Sequence, residues 1–128
     1  MRVTILELQD VNQSDRRVRI ESPFGGAVVQ LASESSEVHG DCDVEFSIPE
    51  RVEWGRTGIV VDERAPSIAM AQDGVRFCGA LDDVQDDGVV ALRLGDSLIM
   101  LESVGEPPPV GSTVCVVVGV VELYVYGN

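Results

Sequence analysis

An all-β domain, a small antiparallel barrel or curled sheet with little helix, is what this sequence predicts, and three observations carry the prediction. Short runs of valine, isoleucine, leucine and alanine recur at close spacing through the 128 residues, several alternating with polar residues. That is the pattern of strands in a barrel or sandwich. Asp-Gly and Gly-Asp steps punctuate the second half, where tight hairpins need residues that tolerate positive φ. No apolar run at helical period is long enough to define a helix. The length fits one domain, read as residues 1–128 with an N-terminal hairpin and strand over 1–32 and a barrel-like core over 41–126. Aromatics make up only 5% of the chain, so the core falls to aliphatic side chains.

Taken in order, Val3, Ile5 and Leu8 with Val18 and Ile20 form two strands about the polar turn 12–15, an N-terminal hairpin. Arg17 and Arg19 share one face of its second strand, as a solvated edge or a local anion site. Residues 22–26 make a turn into an apolar strand over 27–32, and 33–37 form a polar loop leading to His39 and Gly40. Cys42, Val44, Phe46 and Ile48 then alternate on one strand face, ended by Pro49. A short strand covers 57–61, and 67–72 fits either a strand or one helical turn.

The second half reads as a meander. Val75, Phe77, Gly79 and Leu81 lie on one strand, the Asp86-Asp87-Gly88 turn follows, and strands cover 89–94 and 97–101. After the stiff loop 105–111 comes the stretch that organises the rest, 114–126, nearly all β-branched, aromatic or small. It is too short to span a bilayer as a helix, and Glu122 interrupts it. Gly119 within it and Gly79 are the expected corners of a strongly curled sheet.

Charge is the most unusual global property. Twenty-two acidic residues face nine basic ones, for a net charge of −13, and every basic residue is arginine. Such a surface repels phosphate backbones and anionic membranes at long range, and favours a basic protein partner or simple solubility. The opening residues lack the charged, apolar and cleavage regions of a secretory signal. Three cysteines, an odd number, fit a reducing cytoplasm better than a disulfide framework. The expected location is cytoplasmic, with Cys42, Cys78 and Cys115 reduced, mostly buried and free of metal.

Candidate chemistry is sparse. His39, Cys42, Cys78 and Cys115 supply the ligand types of a zinc site, but only the first two have pair-like spacing. Asp82, Asp83, Asp86 and Asp87 crowd one hairpin tip without the spacing of a calcium loop. No Ser-His-Asp or Cys-His arrangement and no phosphate-cradling glycine motif stands out, so no catalytic residue, metal or cofactor is assigned and an enzyme is disfavoured. The four aspartates, with Trp54 and Tyr124, are the candidate binding residues.

With hairpins, a Pro-Gly loop and a closing strand, residues 41–126 resemble the OB-fold and related small barrels. That resemblance implies a sheet face binding single-stranded nucleic acid or an oligosaccharide, with Trp54 and Tyr124 as stacking residues. Trp54-Gly55-Arg56 looks like the signature tripeptide of WGR nucleic-acid-binding domains, without their basic and aromatic surroundings; Trp54 then reads as an anchor beside a strand turn. In size, acidity and lack of a catalytic set the chain is similar to bacterial immunity proteins that neutralise toxins. Three functional expectations follow: an acidic module binding a basic protein, immunity- or antitoxin-like; an OB-like binder; and an accessory protein whose exposed β-edge pairs with a second copy.

Overall fold

The computed structural model describes residues 1–12, 15–32, 40–62 and 64–127. In chain order the strands are β1 (Arg2–Asn12), β2 (Asp15–Ser22), β3 (Gly25–Leu31), β4 (Gly40–Ser47), β5 (Val52–Glu53), β6 (Gly58–Val60), β7 (Ser67–Ala71), β8 (Gly74–Val84), β9 (Val89–Leu94), β10 (Ser97–Val104), β11 (Thr113–Val118) and β12 (Glu122–Gly127). The protein is all-β, as predicted. Residues 67–71 resolve the sequence's ambiguity as a strand. No helix among the described residues is long and apolar enough to cross a membrane.

Two sheets form. Strands β1, β2, β3, β12 and β4 close into a barrel in that order, with β3 and β12 parallel and the other pairs antiparallel. The remaining strands make a seven-stranded sheet in the order β5-β10-β9-β8-β11-β6, with β7 added beside β8. A lone parallel bridge between Trp54 and Gly58 links its two outer strands. The meander is as expected: β10, β9, β8 and β11 are consecutive neighbours. The division at 32 and 41 is not the one the strands follow, because β12 returns to the barrel built by β1–β4, and the second sheet lies between β4 and β12 in the chain.

The C-terminal stretch serves both sheets. It is expected as one bent strand, but the chain leaves the second sheet at Val118 and enters the barrel at Glu122. The break has a visible cause. The Glu50 carboxylate accepts the backbone N–H groups of Gly119 and of Val120, the latter at 3.0 Å, so these donors are taken from the ladder. Gly79 marks a close approach of β8 to β9, since a Cβ there would lie 2.3 Å from the carbonyl oxygen of Arg93. A side chain is excluded at that point.

Alternation puts one face of each strand inside. On β4, Cys42, Val44 and Phe46 are buried between exposed acidic residues, as predicted. On β8, Val75, Phe77 and Leu81 point into the same continuous core, which joins the two sheets. Phe46 of the barrel meets Phe77 of the second sheet edge-to-face, with ring centroids 5.7 Å apart. This aromatic contact sits where the sheets join.

The three cysteines are not all reduced, contrary to the expectation from their odd number. Cys78 and Cys115 are opposed residues in the β8–β11 register, with Cα atoms 4.1 Å apart, and form a disulfide. Their side chains lie on the face opposite Phe77 and Val116. Cys42 lies outside this disulfide, buried in the barrel, and burial pushes its thiol pKa up. An odd count fits one pair and one free thiol as well as three free thiols; register decides between them.

Candidate interaction site

The β8–β9 hairpin carries the four candidate aspartates, and a bulge sets their arrangement. Leu81 opposes Leu92 while Asp83 opposes Ala91, so Asp82 is an extra residue on β8. Such an insertion breaks strict alternation. Asp82 and Asp83 are therefore both exposed, although they are adjacent. Asp82 hydrogen-bonds the Arg93 guanidinium across the hairpin at 2.8 Å. This bond holds the Asp82 carboxyl below the usual aspartate range.

The tip is locally determined. Gln85 donates its N–H to the Val89 carbonyl at 2.9 Å, and Gly88 returns a 3.2 Å bond to Gln85. Asp87 Oδ1 accepts the Val89 N–H at 3.1 Å, a local side-chain bond that favours the turn. Gly88 adopts φ 89°, and its carbonyl accepts from both the N–H and the Oγ of Ser103, at 2.9 and 2.7 Å. The tip is thus pinned to β10 and presents Asp83, Asp86 and Asp87 to solvent. The sequence brought these residues to one hairpin correctly; the bulge and the Arg93 pairing carry no sequence signal.

Titration offers a direct check on the Asp82–Arg93 contact. Because the folded pKa lies below the unfolded value, the contribution of this pair is present above the ordinary aspartate pKa of about 4 and is lost as pH falls through the folded pKa. In a carboxyl-detected NMR titration, Asp82 should titrate below the ordinary aspartate range, and Arg93→Gln should move it up. An unchanged Asp82 titration in the variant would remove the contact.

The two aromatic candidates are not brought together. Trp54 lies at the β5–β6 turn of the second sheet, half-buried, while Tyr124 lies on the barrel strand β12 and is exposed. The Trp54-Gly55-Arg56 tripeptide is a turn: Gly55 has φ 94°, its N–H bonds the Gly58 carbonyl, and Arg56 pairs with Glu53. Trp54 packs against the core, as the anchor reading expects, and with Ile59, Val60 and Pro107–Pro109 it lines a hollow of about 490 Å³. Its Nε1 is buried with no hydrogen-bond partner among the described residues.

The zinc ligand set is not assembled among the described residues. Cys78 and Cys115 are bonded to each other in the second sheet, Cys42 is in the barrel, and His39, with the loop 33–37, lies outside the described residues. No group of three or more potential ligands comes together among the described residues.

A second acidic region forms from residues distant in the sequence. Asp43 and Glu45 on β4 and Asp96 beside β10 line a groove with Phe46, Leu98 and Tyr126. The Tyr126 hydroxyl donates to the Glu45 carboxylate, and this bond raises the tyrosine pKa. Glu102, Met100 and Leu101 extend the same groove along β10. Leu98, Met100 and Val104 are apolar yet exposed at alternate β10 positions, an exposure that only the fold reveals. No protein-family model, curated protein or solved structure matches the chain.

Proposed function

We propose that this protein is an acidic binding module that recognises a basic protein, in the manner of an immunity protein or antitoxin. The observation that carries the reading is the β8–β9 tip, where Asp83, Asp86 and Asp87 are exposed around a turn that backbone bonds hold in place. A turn held in this way presents its carboxylates to a cationic surface without an ordering cost in its backbone. Net charge of −13 adds long-range steering. The cytoplasmic setting belongs to the same proposal. The Cys78–Cys115 disulfide weighs against that setting, since such bonds persist mainly in oxidising compartments.

The test is charge reversal at the tip. A partner is recovered from native lysate on the immobilised protein, identified, purified, and its binding kinetics measured at several salt concentrations. The variant Asp83→Lys/Asp86→Lys/Asp87→Lys should slow association and weaken binding by roughly tenfold or more, while melting changes little. Recovery of a partner that is not basic, or association indifferent to salt, would end this reading.

A specific feature favours a second reading, OB-like binding of single-stranded nucleic acid or oligosaccharide. The five-stranded barrel inserts its last strand, β12, between β3 and β4, a Greek-key order of the kind an OB barrel has. Arg17 and Arg19 are exposed on β2, opposite Gln30 and Val28 of β3. This barrel draws three strands from residues outside 41–126, so the likeness rests on different strands from those the sequence suggested. Tight binding of a labelled single strand at low salt, lost in Arg17→Glu/Arg19→Glu, would favour it over the first.

A further inference from the structure

Strand β10 is paired on one side only along most of its length. Strand β9 bonds Ser97 through Glu102, whereas β5 on the other side reaches only Ser103 and Val104. The two-residue turn at Gly95 and Asp96 makes Leu94 and Ser97 a hydrogen-bonded pair, so alternation aims the backbone groups of Leu98, Met100 and Glu102 away from β9. Val104 follows the same phase: its carbonyl accepts the Trp54 N–H on the outer side at 3.1 Å. No strand among the described residues pairs with the outward groups at 98, 100 and 102.

That edge forms one wall of the groove along β4. Two adjoining hollows of about 370 and 410 Å³ share Glu45 and Phe46, and their linings advance together from Asp43 toward Pro49 and from Asp96 toward Glu102. Leu98 and Met100 are nearly half exposed on β10, at 48% and 46%, and Tyr126 is 69% exposed across from them. Four carboxylates, of Asp43, Glu45, Asp96 and Glu102, line the groove against Arg2 and the Met1 ammonium. Arg2 reaches Asp43 at 3.3 Å, and Arg51 reaches Glu102 at 3.6 Å, both as exposed pairs that a partner's cations could replace.

We propose that this groove accepts an extended segment of a partner protein, with cationic and apolar side chains alternating, as an added strand on β10. The proposal rests on the acidic-module reading and says where and in what form the basic partner docks. An added strand satisfies the outward N–H and C=O groups of Leu98 and Met100. Its apolar side chains meet Leu98 and Met100 on one face, and its cations meet the carboxylates of the β4 wall on the other. A second copy of β10 would instead oppose Asp96 and Glu102 to their own kind, an unfavourable cross-strand pairing.

The probe is a short fluorescent peptide in which arginine and valine alternate, followed by anisotropy at low salt. It should bind the protein, and methylating its alternate backbone amides should abolish binding. Met100→Pro removes one outward N–H while sparing the β9 ladder, a substitution edge strands tolerate. Affinity should fall about tenfold or more in Met100→Pro, and similarly in Glu45→Arg/Asp96→Arg, which leaves the backbone intact. If Met100→Pro does not fold, the charge variant and the methylated peptide decide the matter. Failure of the peptide to bind, or equal binding after methylation, overturns the groove. Binding unchanged in the groove variants but lost on charge reversal at Asp83, Asp86 and Asp87 also overturns it, while leaving the acidic-module reading standing. A dimer in gel filtration that Met100→Pro dissolves would show that a second copy takes the edge, and would overturn it too.

Discussion

Phe77→Ala should destabilise the protein by about 3–5 kcal/mol, a large share of the total stability of a domain of this size. Phe77 is fully buried, and its ring meets Phe46 at the join between the sheets. Removing it deletes apolar contact from both sheets and leaves a cavity walled by two hydrogen-bonded ladders, which have little freedom to collapse inward. Phe46→Ala should cost a comparable amount, and the double variant less than the sum of the two. The shortfall measures the ring–ring coupling, about 0.5–1.5 kcal/mol for such pairs. Urea unfolding followed by circular dichroism and by tryptophan fluorescence gives the values. The fluorescence reports on Trp54, which packs against the same core. A loss below about 1 kcal/mol would place the ring outside the core, and two separated transitions would show that the sheets unfold independently.

How legible this architecture was depends on the range of the interaction concerned. Alternation along Cys42, Val44 and Phe46 and the turn residues at 86–88 and 95–96 gave strands and neighbours, because these are properties of adjacent residues. Strand β12 is different. Its apolar side chains suit either sheet, and nothing local says that Leu123 should pair with Phe46 and Leu31 and not continue beside β8. The partition into two sheets is fixed by contacts far apart in the chain, with Glu50 capturing the 119–120 backbone as one of them. The candidate site divides the same way. The acidic tip lies within a few residues of sequence, while the β4–β10 groove brings together segments some fifty residues apart and becomes visible only in the folded chain.

The Cys78–Cys115 disulfide should contribute about 3–4 kcal/mol, comparable to the aromatic contact but by a different route. The bond closes a loop of sequence separation 37, so it restricts the unfolded chain; loops of about 15 and 100 residues correspond to about 3 and 4.7 kcal/mol in the chain-entropy description. Replacing both residues by alanine removes the crosslink and two buried side chains, so Cys78→Val/Cys115→Val is the better comparison, keeping apolar volume at a β-branched cross-strand pair. Thiol counting tests the pairing itself. Unfolded without reductant, the protein should yield one thiol per chain, that of Cys42, and three after reduction. Folded, it should resist alkylation, because Cys42 is buried and burial disfavours its thiolate, the reactive form. Three thiols in unreduced protein would restore the expectation drawn from the odd cysteine count. The valine variant would then match the wild type in stability to within the effect of packing alone, and the β8–β11 pair would depend on its ladder and on Val114 and Val116 beneath it.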